Sequence, residues 1–482
     1  MSYLKTNTSI SEIGIDKLLR CNYRTTMYKN NIVDIRKRYD NTIRLKSIFN
    51  IISGYAFSSK DYVEEGIPIV RIGDLNYYSL NYDNMIKVPQ EYYEEEKYRK
   101  YMVKKGDILI SLTGDGNLKC LYYNDNKVLL LNQRVAILRA KSDINIEFYY
   151  WMLKSDFVKK QFAYYSNGKS QLNISPFDLA NIKIPVIDEN VQRLCMKRIE
   201  PIIKKVNELT LKVENANKLI NDTFVKKFNY NYDVFNGLKS AKIVYRKFTD
   251  FGNNIDLRFS SKFHREAGRF IYEELKTKKY RNFKDIVKIP MITGQGISPK
   301  EYDENGDYGY VSMADIKTWC IDEENLKKVS NSYSEKHKFK KIKGVDDIQP
   351  TTIKKGDILI MRSGEGGIGK TAIVTNDINA IFCDFIIRIR VDEEKYNPFF
   401  VYYFTRTEYF QYLVEINKKG LGNNTNIFPN ILNYFPIPDI SLEEQQKIID
   451  EVDKKINEQK EIDIQILKEQ SKIEKILLEI IK

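Results

Sequence analysis

The stretch NVQRLCMKRIEPIIKKVNELTLKVENANKLINDTFVKKF at residues 190–228 organises the chain, because the sequence before it is matched in order by the sequence after residue 253. Its apolar residues recur at alternating spacings of three and four, which indicates a heptad seam. The C-terminal run has the same rhythm, so we predict that one continuous helix over 190–228 pairs with a C-terminal helix. The predicted seams are Ile199, Ile202, Val206, Leu209, Val213, Ala216 and Ile220 in the first helix, and Ile449, Val452, Ile456, Ile466, Ile473, Leu477 and Ile480 in the second.

The sequence contains an internal repeat, with one copy on each side of the central helix. The stretch KKGDILI is identical at residues 104–110 and 354–360. Weaker matches surround it, such as VRIGDL at 70–75 with VSMADI at 311–316, and the Ile-Pro pairs at 184–185 and 437–438. The separation between matched positions grows smoothly from 238 to 253 residues. Such a drift indicates duplicated domains with loop insertions.

Each copy contains short β-rich runs bounded by Gly, Asn and Asp turns, followed by an aromatic segment at 147–165 or 398–416 that predicts a helix packed on a sheet. The predicted fold class is α+β, with two tandem mixed α/β domains, each followed by a long helix. In both KKGD turns the aspartate, Asp107 or Asp357, is predicted to satisfy backbone donors. The predicted segments are a first domain at 1–188, a central helix at 189–228, a second domain at 229–440 and a C-terminal helix at 441–482.

Charge favours a polyanionic partner. The 482 residues include 78 Lys and Arg against 65 Asp and Glu, which gives a net charge of +13 and a pI near 9.1. Nucleic acid is the first candidate, and the alternative is a compositional bias in a Lys-, Asn- and Ile-rich sequence.

The five cysteines are widely scattered and form no CxxC pair, so we predict free thiols in a reducing compartment. No run of about 20 uncharged apolar residues occurs, which favours a soluble cytoplasmic protein. The chain has only two histidines, His264 and His337, without an HExxH motif or a visible triad. The sequence therefore predicts no metal site and no catalytic residues.

One stretch satisfies a nucleotide-binding pattern, because GEGGIGKT at Gly364–Thr371 matches GxxxxGK[ST]. A phosphate cradle of this kind requires a strand before the loop and a helix after it. The residues that follow indicate a strand and a turn, and the first copy keeps the glycines at 113–117 without the Lys-Thr pair. We predict a β-hairpin loop here, with an ATP-dependent P-loop enzyme as the alternative.

Two polar loops, at 166–173 and 418–426, have a composition suited to DNA contact, because Lys binds phosphates while Asn, Gln and Ser read base edges. A solvated turn is the alternative for each residue. The predicted DNA-binding residues are Arg71, Thr113, Asn117, Lys119, Lys169, Ser170, Gln171 and Asn173 in the first copy, and Gln295, Arg362, Lys370, Lys418, Lys419, Asn423, Asn424, Thr425 and Asn426 in the second.

The order of these parts resembles the specificity subunit of type I restriction–modification systems. The resemblance covers residues 15–482 and depends on the KKGDILI strand starts, the hairpin ending in GKTAIV, the aromatic segments, and the Asn-Ile and Ile-Pro pairs that precede each long helix. It implies two target-recognition domains, two helices paired as an antiparallel coiled coil, and a non-catalytic, cofactor-free role in phage defence.

The resemblance also implies the partners. These are double-stranded DNA with a bipartite asymmetric target, two methyltransferase subunits that carry S-adenosylmethionine and, in a full complex, translocating endonuclease subunits that carry ATP. The stretches 54–102 and 294–352 differ widely between the copies, which predicts a different half-site for each. A coiled-coil adaptor without a nucleic-acid partner is a further alternative.

Overall fold

The described chain divides into two compact units, one with residues before 214 and from 462 onward, the other with Glu214–Glu461. Within the described ranges, no helix is both long and apolar enough to cross a membrane. The computed structural model describes residues 41–75, 80–82, 85–114, 119–166, 172–241, 243, 245–247, 249–250, 258, 260–341, 347–364, 367–420 and 425–481.

The first unit contains the first repeat and the end of the C-terminal helix. Its helices are α1 (Leu45–Ile48), α2 (Glu96–Arg99), α3 (Ile146–Leu153), α4 (Asp156–Tyr165), α5 (Pro176–Ala180) and α6 (Glu189–Thr210). Its strands are β1 (Thr42–Arg44), β2 (Phe49–Ser53), β3 (Ile67–Val70), β4 (Lys87–Val88), β5 (Met102–Val103), β6 (Ile108–Ser111), β7 (Thr113–Gly114), β8 (Cys120–Tyr122), β9 (Leu129–Leu131), β10 (Val135–Ala140), β11 (Leu172–Asn173) and β12 (Lys183–Pro185).

A four-stranded antiparallel sheet in the order β2-β10-β6-β8 forms the centre of this unit. Side chains alternate across its two faces, as the strand period of two requires. Ile108 and Leu138 pack against helices α3 and α4, whereas Leu109 and Ile137 pack toward a second sheet in the order β4-β3-β9-β5. The central sheet is therefore buried on both faces.

The second unit repeats this plan. Its helices are α7 (Ala216–Phe228), α8 (Tyr232–Ser240), α9 (Glu266–Lys276), α10 (Phe283–Ile286), α11 (Asn331–His337), α12 (Pro398–Thr405), α13 (Glu408–Asn417), α14 (Pro429–Leu432) and the start of α15 (Leu442–Ile481). Its strands are β13 (Tyr280–Asn282), β14 (Ile292–Thr293), β15 (Tyr308–Val311), β16 (Lys327–Val329), β17 (Phe339–Lys340), β18 (Gln349–Pro350), β19 (Ile358–Met361), β20 (Thr371–Ile373), β21 (Ala380–Phe382), β22 (Ile386–Ile389) and β23 (Pro436–Pro438).

The two repeats share the topology of their central sheets. The central sheet of the second repeat has the order β14-β22-β19-β20, and β13 pairs with β23 as β1 pairs with β12. The β17–β18 hairpin, by contrast, lies in a stretch where the second repeat is nine residues longer, since the separation of matched positions is 241 at Val311 and 250 at Lys354. The duplication predicted from the sequence is thus present in the fold.

The KKGD turns have the structural role that the sequence predicts. The Asp107 carboxylate accepts a hydrogen bond from the Lys104 amide at 2.7 Å and two from the Arg139 guanidinium at 2.8 and 2.7 Å. In the same way, the Asp357 carboxylate accepts a hydrogen bond from the Lys354 amide at 2.9 Å and two from the Arg390 guanidinium at 2.8 and 2.7 Å. Gly106 and Gly356 have φ of +90° and +86°, a conformation that glycine adopts without steric cost.

The central helix is not continuous, which corrects the prediction for 190–228. Helix α6 ends at Thr210, and α7 begins at Ala216. The Asn215 side chain caps α7 by accepting the amides of Asn217 and Lys218 at 2.8 and 3.3 Å, and such a cap competes with helix continuation. Val213, predicted in the seam, lies in the break with 43% of its surface exposed.

The aromatic segments also differ from the prediction, because each is two short helices rather than one. Helix α3 is followed by α4, and α12 by α13. The junctions carry Ser155, which donates to the Met152 carbonyl at 2.6 Å, and Thr407, which donates to the Phe404 carbonyl at 2.7 Å. Hydroxyls of this kind compete with the helical hydrogen bonds.

Helix α6 of the first unit runs antiparallel to the end of α15. Arg198 pairs with Glu479 at 2.7 Å, and Lys205 pairs with Glu469 at 2.8 Å. The predicted seam residues Val206 and Leu209 pack with Ile466, partly buried Ile202 packs against the same group, and Ile473 and Leu477 join the core of the unit.

Helix α7 contacts the start of α15 within the second unit. Lys455 donates to Thr223 at 2.8 Å, and Lys227 lies 3.6 Å from Glu451. The core of this unit also contains three predicted seam residues, Ile449, Val452 and Ile456. A coiled coil along the full length of both helices stays a prediction.

Candidate DNA-recognition surface

Three polar side chains of the first repeat meet where β7 pairs with β11. Thr113 donates to the Asn173 side-chain oxygen at 2.5 Å, and Arg134 donates to both residues at 3.4 Å. The strand register aligns Asn173 with Thr113, so the loop that closes at Asn173 is anchored to the end of the central sheet. The sequence predicts Thr113 and Asn173 as site residues but misses Arg134.

The second repeat has Asn426 at the position of Asn173, beside an arginine that comes from another position of the sheet. Arg362 donates to the Asn426 side chain at 3.4 Å and to the Asp384 carbonyl at 3.3 Å, and its guanidinium lies 5.0 Å from the centre of the Phe428 ring. Lys419 and Asn426 exchange backbone hydrogen bonds at 2.8 and 2.7 Å, which closes the second polar loop. Amides and guanidinium groups are the groups that read adenine and guanine edges.

Lys119 and Lys370 occupy equivalent positions. This corrects the sequence comparison of the two glycine loops, in which the first repeat had no counterpart of Lys370. Each precedes the second strand of a hairpin, since Cys120 pairs with Ile110 and Thr371 with Ile360. The Lys119 ammonium donates to the Ile72 carbonyl at 3.1 Å, and that of Lys370 donates to the Ile316 carbonyl at 2.7 Å. The lysine is therefore retained in the first repeat and holds a neighbouring turn in both.

The stretch at 364–371 lies in a β-hairpin, as predicted. Strands β19 and β20 are antiparallel, and the residues after the loop continue as a strand instead of the helix that a P-loop requires. Burial lowers the pKa of Lys370, and its ammonium is bound to a carbonyl of the chain. The geometry contradicts the P-loop alternative.

We expect neither the wild-type chain nor Lys370→Ala to bind ATP, because the loop offers no helix N-terminus to the phosphates. Isothermal titration of both proteins with Mg-ATP checks this expectation, with a P-loop ATPase as the positive control. Measurable ATP binding that disappears in Lys370→Ala would contradict it.

The other described site residues do not join these polar groups. Arg71 binds Asp74 at 3.2 Å and caps a short turn, as Ser312 does with Asp315 in the second repeat. Lys418 pairs with Glu415 at 2.6 Å.

Gln295 donates its backbone amide to the Phe382 carbonyl at 2.9 Å and is half-buried, as is Thr425. The predicted residues Asn117, Lys169, Ser170, Gln171, Asn423 and Asn424 lie outside the described residues.

Sequence reasoning also missed a group of lysines that share a cleft with Arg362 in the second unit, namely Lys284, Lys288, Lys340 and Lys341. Their signal in the sequence is weak, because Lys284 and Lys288 stand four positions apart and lie far from the basic run KKIK at 340–343. Only the fold brings the two pairs to one surface.

The chain resembles known proteins over most of its length. A family model described as the type I restriction modification DNA specificity domain matches residues 40–219 and 276–475. The type I restriction enzyme MjaVIII specificity subunit of Methanocaldococcus jannaschii is 27% identical over 179 residues, which cover 36% of this chain and 41% of that subunit. The EcoBI specificity subunit of Escherichia coli is 21% identical over 435 residues, which cover 89% of this chain and 82% of that subunit.

Two solved structures are similar at low sequence identity. The S subunit of a type I restriction-modification system from M. genitalium is 14% identical, with 90% of this chain and 95% of that chain covered and a TM-score of 0.36. The HsdS subunit from Thermoanaerobacter tengcongensis is also 14% identical, with 92% and 96% covered and a TM-score of 0.32.

Proposed function

Because the chain belongs to the family of type I restriction–modification DNA specificity proteins, we propose that each repeat recognises one half of a bipartite, asymmetric DNA target. The observation that carries this proposal is a polar group at the same end of each central sheet, with Thr113, Arg134 and Asn173 in one repeat, and Arg362 and Asn426 in the other. Asn173 and Asn426 occupy the same backbone position, whereas the other side chains of the two groups come from different positions, since Leu112 stands where the second repeat has Arg362. Different half-sites follow from that difference.

The polar groups suit direct readout in a groove. Asparagine forms paired hydrogen bonds with adenine, and arginine does so with guanine, so each can distinguish bases. Both groups lie at the end of a sheet that is buried on both faces, which limits their movement. The restricted position of these groups suits recognition by a preformed surface.

The proposal includes protein partners. We propose that methyltransferase subunits, with S-adenosylmethionine, bind this chain in the cytoplasm, and that endonuclease subunits with ATP join them in a full complex. Support comes from apolar side chains that the helices of the first unit leave exposed, with exposed fractions of 62% at Leu194, 55% at Ile464 and 63% at Leu467. Exposed leucines on a helix are suited to a protein interface. In this proposal the chain itself binds no cofactor.

We expect that exchanging residues 283–437 for the matching stretch of a relative with another target changes one half of the methylated motif and leaves the other half intact. The reason is that this range encloses the whole central sheet and polar group of the second repeat. Mapping of methylated bases in a host that carries the methyltransferase measures the outcome.

The reciprocal exchange of residues 45–184 is the matched control, because it should change only the other half. If either exchange altered both halves of the methylated motif while the chain remained folded and assembled, the assignment of one half-site to each repeat would be contradicted.

A further inference from the structure

The second unit contains a cleft of about 780 Å³ with a strongly basic lining. It opens beside the start of the second repeat, strand β17 and the turn that precedes α14. No Asp or Glu is among its described lining residues, and the carboxylates of Asp384 and Asp392, which interact with Lys340 and Lys288, lie outside that lining. The cationic side chains are Lys284, Lys288, Lys340, Lys341 and Arg362.

Two of the five cations are held in fixed positions. The Lys340 ammonium donates to the Thr293 carbonyl, the Thr293 hydroxyl and the Gly294 carbonyl, each at 3.2 Å. Arg362 lies against Phe428, and its buried Nε makes no hydrogen bond within the part of the chain that the structure describes. Positioned cations lose little conformational entropy when an anion binds.

The other three cations, Lys284, Lys288 and Lys341, line the same cleft and are exposed. The Lys284 ammonium lies 5.2 Å from the centre of the Tyr434 ring, and all three side chains can adjust to an anionic chain that passes along the cleft. Five cations on one open surface fit a ligand with several charges better than a single small anion. The sugar–phosphate backbone of a nucleic acid has one negative charge per nucleotide and matches this description.

The first repeat lacks most of this lining. Leu112 replaces Arg362 at the start of the hairpin, and Asn50 replaces Lys288 in the edge strand. The β17–β18 hairpin that carries Lys340 belongs to the longer stretch of the second repeat. Only Lys46, which matches Lys284, keeps its charge.

A further contrast lies beside α14. Phe177 occupies the position of Asn430, with 71% of its surface exposed. The two repeats therefore present different chemistry at the same place in the fold, with five cations in the second repeat but one matching lysine and an exposed phenylalanine in the first.

We propose that the cleft binds the phosphate backbone of the target DNA, so that the half-site of the second repeat is held by more ionic contacts than the half-site of the first. This inference rests on the proposed function. In this proposal the cleft residues contribute to the affinity for DNA and not to its sequence specificity, since phosphate contacts position a protein on DNA without reading its sequence.

The test compares three forms of the full chain in complex with its methyltransferase. They are the wild type, the cleft variant Lys284→Gln/Lys288→Gln/Lys341→Gln, and a control variant Lys300→Gln/Lys328→Gln/Lys336→Gln that removes three exposed lysines of the same repeat outside the cleft. The probe is an unmethylated duplex with the motif mapped from host methylation. Binding is measured from low to high KCl concentration.

The cleft variant is expected to reduce the slope of log K against log salt by about 2 to 3, because each phosphate contact contributes about 0.9. The control variant is expected to change the slope by less than about 1. Preference for the target over a duplex with a scrambled motif is expected to remain in both variants. In the first repeat, Lys46→Gln is expected to have a smaller effect than the cleft variant.

A wild-type slope in the cleft variant would overturn the phosphate site while leaving the proposed function intact. Equal losses in the cleft and control variants would also overturn it, because the effect would then reflect net charge alone. If the wild-type complex itself fails to prefer the target duplex, it is the proposed function that fails.

Discussion

Replacing Asp357 with alanine is expected to destabilise the second unit by about 3–5 kcal/mol, because it leaves Arg390 buried without its partner. The Asp357 side chain is fully buried, and that of Arg390 is 13% exposed. The substitution also removes the acceptor of the Lys354 amide, which lies at 2.9 Å. Asp107→Ala should have a similar effect in the first unit, where Arg139 is the partner.

The two tryptophans allow the units to be observed separately. Trp151 lies in the core of the first unit, and Trp319 lies in the second. Urea unfolding is followed by tryptophan fluorescence. In a Trp151→Phe background the signal reports on the second unit, and in a Trp319→Phe background it reports on the first unit. Asp347→Ala is the control, because this exposed aspartate uses only its backbone in a described hydrogen bond, and its effect should stay within about 0.5 kcal/mol. A loss below about 1 kcal/mol for Asp357→Ala would contradict the prediction.

Val206→Asp is expected to unfold or aggregate the first unit, since it places an unpaired carboxylate between α6 and α15. Val206 is 2% exposed and packs with Leu209 and Ile466. Burying a charge without a partner costs several kcal/mol, a large share of the roughly 5–15 kcal/mol that stabilises a domain. Thermal melting and size-exclusion chromatography of the full chain measure the effect.

Asn207→Asp provides a matched control for this variant. It adds the same charge at the next residue, where the side chain is exposed, so its melting temperature should remain within a few degrees of the wild type. Equal melting of both variants would show that α6 and α15 do not pack through Val206.

The repeat structure was predictable because its signals are local and occur twice. The KKGD turns need a glycine with positive φ and an aspartate that accepts backbone amides, and both requirements are visible in the sequence. The hairpin at 364–371 was also predictable, because the residues after it lack a helical pattern.

Long-range features were not predictable in the same way. The break before Asn215 depends on a side chain that caps the next helix, in a stretch where the heptad pattern continues without Gly or Pro. The match of Lys119 with Lys370 was hidden by loop sequences of different composition and became visible only from strand register. The basic cleft joins residues about fifty positions apart, which no periodicity connects.

The last turns of α15 have a consequence for how the protein is synthesised. Ile473 and Leu477 belong to the core of the first unit, next to Cys195 and Ile199. The ribosome makes these two residues more than 250 positions after the rest of that core. At about 5–20 residues per second, the first unit must wait on the order of tens of seconds with an uncovered apolar face. A stop codon shortly before Ile473 would therefore damage the beginning of the protein more than its middle.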